Sequence, residues 1–196
     1  MFFFFLTART RLHGRFDITT FTVCIIYEYP ASSPVSTIGR HLPRKRSIIV
    51  PKKEDPKTWI IGLVDRFLSK SPLNNLRNKD AAPAWDEALV GFASGADPLF
   101  QEYKEYIGPF HWTPLEIYSQ YHPEGKATPE DLTVISWVLP QRKSVRDMNR
   151  KARTFPAEDW ARARIEGERC NAGLRAHVAR TLTEKGYPAV APMLVP

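Results

Sequence analysis

Residues 131–196 constrain the fold more than any other part of the chain. "DLTVISWVLP" (131–140) is a continuous apolar run rich in Val, Ile and Trp, with proline at its end. Its length and composition predict a strand buried on both faces. A second run, "PAVAPMLVP" (188–196), has similar strand-like composition. Between them, from about Pro156 to Lys185, Trp160, Ala163, Gly167, Cys170, Leu174, Val178 and Leu182 recur at three- and four-residue steps, and Gly186 supplies a stop. That is the periodicity of a long helix. Gly167 and Gly173 each weaken such a helix by ~1 kcal/mol relative to alanine, so two of them imply close packing or a break. Strand, helix, strand is the βαβ pattern, with a right-handed crossover expected. The fold class read from this is α/β, with α+β as the alternative: a small buried sheet flanked by helices. The second strand stops at the last residue, so the sheet reads as incomplete at its C-terminal side.

Upstream, helix punctuation is regular. "DPKTWIIGLVDRFLSK" (55–70) carries Trp59, Ile60, Leu63, Val64, Phe67 and Leu68 as one amphipathic stripe, with Asp55 as cap and Pro56 in the first turn. "SPLNNLRNKDAAPAW" (71–85) reads as loop. Asp97 is placed to cap a helix from Pro98, whose apolar side is Leu99, Phe100, Tyr103 and Ile107 and which Gly108 and Pro109 end. Thr113, Pro114 and Glu116 have the spacing of a capping box, which predicts a further helix. His111 sits in the corner between these two helices and is a candidate to border a pocket.

Charge separates the chain into two parts. The net charge is +7. Residues 1–53 hold nine Lys/Arg and two acids, whereas 54–196 hold 19 of each and are neutral. The basic excess therefore belongs to residues 1–53, read as a disordered or non-native leader and linker, and residues 54–196 are read as the domain. The leader has three readings: a start codon misassigned upstream, a targeting leader, or a functional basic arm that binds nucleic acid. Within it "FTVCIIYEYP" (21–30) has the composition of a strand. No run approaches the ~18 apolar residues of a membrane-spanning helix. Two cysteines without a C-x-x-C spacing, Cys24 and Cys170, suit a reducing, cytoplasmic compartment and provide no metal site.

Signatures of the common phosphate-binding, serine-hydrolase and zinc-protease sites are absent from the sequence. "QRKSVRDMNRKAR" (141–153) follows the end of the 131–140 strand, where parallel sheets place ligands, and reads as a basic loop. Arg142 and Arg146 in it are candidates to grip a phosphate or carboxylate. With His111 they form the candidate cofactor-binding set. Glu166 and Glu168, near Asn171 on the long helix, read as solvent-facing carboxylates, and Cys170 as a small buried hydrophobe. No catalytic residue is assigned.

Three blocks carry a family resemblance: "LVGFASGADPLFQEYKEYIGPFHWTPLEIY", then "LTVISWVLP", then "PAEDWARARIEGERCNAGLRAHVARTLTEKGYPAVAP". With "WIIGLVDRFLSKSPLNNL", they make residues 57–196 resemble the N-terminal part of epoxyqueuosine reductase-like iron–sulfur proteins of the 4Fe-4S ferredoxin type. The resemblance implies an α/β corrinoid-binding reductase domain followed by a module with two cysteine-rich clusters. It implies cobalamin as cofactor, 4Fe-4S clusters in a C-terminal part, and tRNA or a small-molecule substrate. This chain has no cysteine cluster, so it reads as an N-terminal fragment of such an oxidoreductase, inactive alone. The alternative is a stand-alone corrinoid- or anion-binding protein.

Overall fold

The structure, a computed structural model, describes residues 55–192 and the backbone of residues 20–27. The chain is mixed α/β, as expected. In order it forms β1 (Thr20–Tyr27), α1 (Pro56–Lys70), β2 (Leu89–Ser94), α2 (Leu99–Tyr106), α3 (Pro114–Tyr121), β3 (Leu132–Leu139), α4 (Lys143–Lys151), α5 (Glu158–Glu184) and β4 (Ala189–Val190). The four strands make one sheet in the order β2-β3-β1-β4.

The topology corrects the simple βαβ reading. β1 runs antiparallel to both β3 and β4, so β3 and β4 are parallel to each other but are not neighbours. β1 lies between them. Its eight residues pair with β3 in one ladder, from Thr20↔Leu139 to Tyr27↔Leu132, whereas β4 offers β1 only Ile25↔Val190 and Ile26↔Ala189. A full-length ladder satisfies far more backbone donors and acceptors than a two-residue one, which is why β3 takes the neighbour that matches its length. Part of the segment read as a leader therefore lies inside the sheet, as the strand composition of 21–30 suggested. The rest of the leader, with the targeting and basic-arm readings, lies outside the described residues, as do 193–196 of the run assigned to the last strand.

β3 is indeed buried from both sides, though by antiparallel neighbours. Ile135, Trp137 and Leu139 point to the main core with α1 and α5, while Leu132 and Val134 meet Ile117 and Tyr118 of α3 on the other face. Burying a side chain such as Ile135 or Leu139 contributes roughly 1.5–3 kcal/mol each. β2, for which the sequence reading assigned no element, pairs antiparallel with β3, so that Phe92 stands opposite Ile135 and Val90 opposite Trp137.

The helix ends follow the sequence closely. Asp55 accepts from Thr58 N at 3.1 Å, and Thr113 and Glu116 form both halves of a capping box. Asp97 Oδ1 accepts from Leu99 N at 3.0 Å at the start of α2. Gly108 ends α2 with φ +142°, a backbone conformation that favours glycine. α5 runs unbroken through its two glycines. Gly167 is a notch for the indole of Trp85, whose Nε1 donates to the Gly167 carbonyl at 2.9 Å. Residues 143–151, read as loop, are α4, a helix with only Val145 fully buried in the core.

Candidate functional site

A cleft lies at the end of β3, and loops from earlier in the chain build it. Asn74 is its hub. Its Oδ1 accepts from Trp85 N at 2.9 Å, and its Nδ2 donates to Leu68 O at 3.1 Å and Trp85 O at 3.4 Å. Asp86 N donates to Pro140 O at 3.0 Å, and Trp85 forms a β-bridge with Gln141. These bonds fasten residues 74–87 against the C-terminal end of β3. They frame an open cleft of about 480 Å³ lined by Asp65, Ser69, Asn74, Trp85, Asp86 and Glu87. Arg142 closes one edge, its Nε 3.4 Å from Asp86 Oδ1. The Oδ1 atom of Asp65 is buried without a hydrogen-bond partner. The carboxylates of Asp65, Asp86 and Glu87, the hydroxyls of Ser69 and Ser71 and the guanidinium of Arg66 line it, which suits a small polar molecule, and the volume is that of a small-ligand site.

The structure does not bring His111 together with Arg142 and Arg146. α2 starts where β2 leaves the sheet beside Leu132, and α3 packs on Leu132 and Val134, so His111 belongs to the end where β3 begins. Arg142 and Arg146 follow the other end of a strand of eight residues, about 27 Å long at 3.4 Å per residue. His111 is buried, its ring edge-on to Tyr103 with centroids 5.3 Å apart. Burial and then the charge of Lys104 hold its imidazole below the usual histidine range. It packs into the interior of that corner. Arg142 is committed to Asp86, and Arg146 lies one turn into α4.

A polar chain runs between β3 and α5, and beside it Glu166 is not the solvent-facing carboxylate expected. Trp137 Nε1 donates to Asn171 Oδ1 at 3.1 Å, Asn171 Nδ2 lies 3.4 Å from Glu168 Oε2, and Arg175 donates to Glu168 Oε1 at 2.9 Å. Asn171 and Arg175 are buried, because Trp137 of β3 and α5 press together over them. Glu166 is largely covered and held by Arg77 and Arg169, both exposed. The helical spacing of 168, 171 and 175 was visible in the sequence, but not the tryptophan that gives Asn171 its partner.

The described residues supply no ligand set for an iron–sulfur cluster, which the resemblance places in a C-terminal part. Cys170 is fully buried and its thiol is pushed up to about 12 by burial, so it is no thiolate donor. Among the described residues no group of three or more His, Cys, Asp or Glu could hold a metal ion. His111 is buried and does not line the cleft beside Trp85. Among the described residues, no helix is long and apolar enough to cross a membrane. In comparisons with protein-family models, curated proteins and solved structures, nothing matches the chain.

Proposed function

We propose that the chain is a substrate-holding module of the epoxyqueuosine reductase-like type, taking a nucleoside-sized modified base in the cleft beside Trp85. Electron-transfer centres would be supplied from outside the described residues. The observation that carries this is the cleft itself, set at the end of β3 and walled by Asp65, Asp86 and Glu87. The resemblance supports it too: its three blocks coincide with β2-α2-α3, with β3 and with α5-β4.

The test is retention. The full chain is incubated with nucleosides released by digesting tRNA, and those kept through desalting are identified by mass spectrometry. Retention of a modified-base nucleoside, lost on Asp86→Ala, is expected. Retention of nothing, or of everything equally, overturns the reading. A parallel titration with hydroxocobalamin should leave the visible spectrum of the corrinoid unchanged. Saturable change with tight retention would favour the stand-alone corrinoid-binding alternative.

A further inference from the structure

Two exposed faces at opposite ends of β3 are complementary. The first is the corner between α2 and α3. Tyr106 (81% exposed), Phe110 (59%) and Trp112 (45%) stand out within seven residues, with Ile107 beside them. Residues 97–125 hold Asp97, Glu102, Glu105, Glu116 and Glu124 against a single Lys or Arg, Lys104, which Glu116 neutralises at 2.8 Å. The corner is also fixed in shape. Gly108 turns the chain, His111 N bonds back to Gly108 O at 3.0 Å, and the capping box anchors Thr113 immediately after Trp112. Aromatic side chains held out on a rigid corner lose little freedom on binding.

The second face is α4 and the turn that follows it. Lys143, Arg150, Lys151 and Arg153 are exposed there, and Asp147, the only acid from 142 to 153, already bonds Lys143 and Arg150. Met148 (41%) and Phe155 (80%) supply exposed apolar surface on the same element and turn.

We propose that the chain associates with itself head to tail, the acidic aromatic corner of one copy seating on the basic α4 face of the next. One copy cannot join its own two faces, since β3 separates them. A two-fold contact that set either face on itself would place Glu102 and Glu105, or Lys151 and Arg153, near their own counterparts, and like charges oppose that pairing. Only the contact of unlike faces matches charge to charge and apolar to apolar. Made twice about a two-fold axis, the same pairing would close a dimer. Made head to tail it does not close unless a ring forms, and copies add in series. A mass that stops at the dimer therefore overturns the head-to-tail arrangement.

Sedimentation velocity of the full chain over a concentration series tests this, at low and high salt. The weight-average mass should climb past that of a dimer as concentration rises, and fall back when salt screens the charges. A corner variant, Glu105→Lys with Tyr106→Lys, and an α4 variant, Lys151→Ser with Arg153→Ser, alter exposed side chains only and create no new matched pair of charges. Each alone should associate at least ~10-fold more weakly, the loss that follows from removing one matched patch. Mixed in equal amounts, the two variants should form dimers and nothing larger, because each keeps the face that the other has lost. Far-UV circular dichroism and an unchanged unfolding midpoint establish that both variants fold. A wild-type chain that stays monomeric overturns the proposal. So does association that either variant leaves intact, or a mixture that remains monomeric, since then the occupant of the corner is not the α4 face.

Discussion

Alanine at Gly167 should weaken the fold, whereas alanine at Gly173 on the same helix should leave it nearly unchanged. A Cβ on Gly167 would lie 2.4 Å from Cζ2 and 2.8 Å from Cε2 of Trp85. The indole is buried and tied through Nε1 to the carbonyl of Gly167 itself, so it cannot swing away and keep that bond. Helix propensity favours alanine by ~1 kcal/mol. Overpacking a tight contact costs ~1–3 kcal/mol. Losing the indole hydrogen bond costs another ~1 kcal/mol. The balance is a loss of about 1–3 kcal/mol, which for a domain of this size lowers the melting temperature by about 2–4 °C per kcal/mol. At Gly173 the nearest atom, Leu73 Cδ1 at 2.5 Å, is the end of a flexible side chain on a half-buried loop. It can rotate, so propensity and repacking offset each other to within ~1 kcal/mol. Urea unfolding followed by far-UV circular dichroism measures both. If Gly167→Ala matches or exceeds the wild type, the notch reasoning is wrong.

Three further outcomes follow from buried groups. Burial lowers the imidazoles of His111 and His177 below the ordinary 6.5, with Lys104 adding to the effect at His111 and Arg180 at His177. The unfolded chain therefore takes up protons before the folded one does. Their contribution is fully present above pH 6.5 and is lost as pH falls below it, so the urea midpoint should drop between about pH 7.5 and about pH 5.5. His111→Gln should flatten that slope, and an unaltered slope would refute the assignment. In a Cys24→Ser background, Cys170 should resist an aromatic disulfide reagent until denaturant is added, because its thiol is buried and pushed up to about 12. Rapid labelling of the native protein would contradict this. Asn171→Ala leaves the indole N–H of Trp137 buried without its acceptor, and should cost about 1–3 kcal/mol in urea unfolding. A neutral result would mean that Trp137 finds another partner.

What the sequence made legible was local. Asp55 before Pro56, Thr113 with Glu116, and Gly108 before Pro109 each act within four residues, and each is seen where it was expected. The interior of β3 was equally plain, because five of its eight residues are buried and apolar. α4 was hidden since Val145 alone of its nine residues is buried, which leaves almost no apolar period to read. β2 was hidden for another reason: "LVGFAS" is short and holds a glycine, and its pairing with β3 lies some forty residues away. The site was hardest of all. Asn74 looks like any loop asparagine until Trp85 and Leu68 are brought to it, and Asp86 faces Arg142 only because Pro140 anchors its backbone. Conversely, His111 looked like a site residue because its partner Tyr103 lies on the preceding helix, beyond the corner's own punctuation.

The position of β1 between β3 and β4 sets a timetable for folding. Tyr27 pairs with Leu132, and Ile25 must also wait for Val190, so the strand made first is the last to find both neighbours. More than a hundred residues have to leave the ribosome before either edge of β1 is covered. Contacts this distant in sequence slow the search, and an exposed β-branched edge is a template for the wrong partner meanwhile. The helices can form as they are made, but the sheet cannot close until α5 has delivered β4. Until its neighbours are made, the strand "TFTVCIIY" has no partner in the sheet for its backbone donors and acceptors.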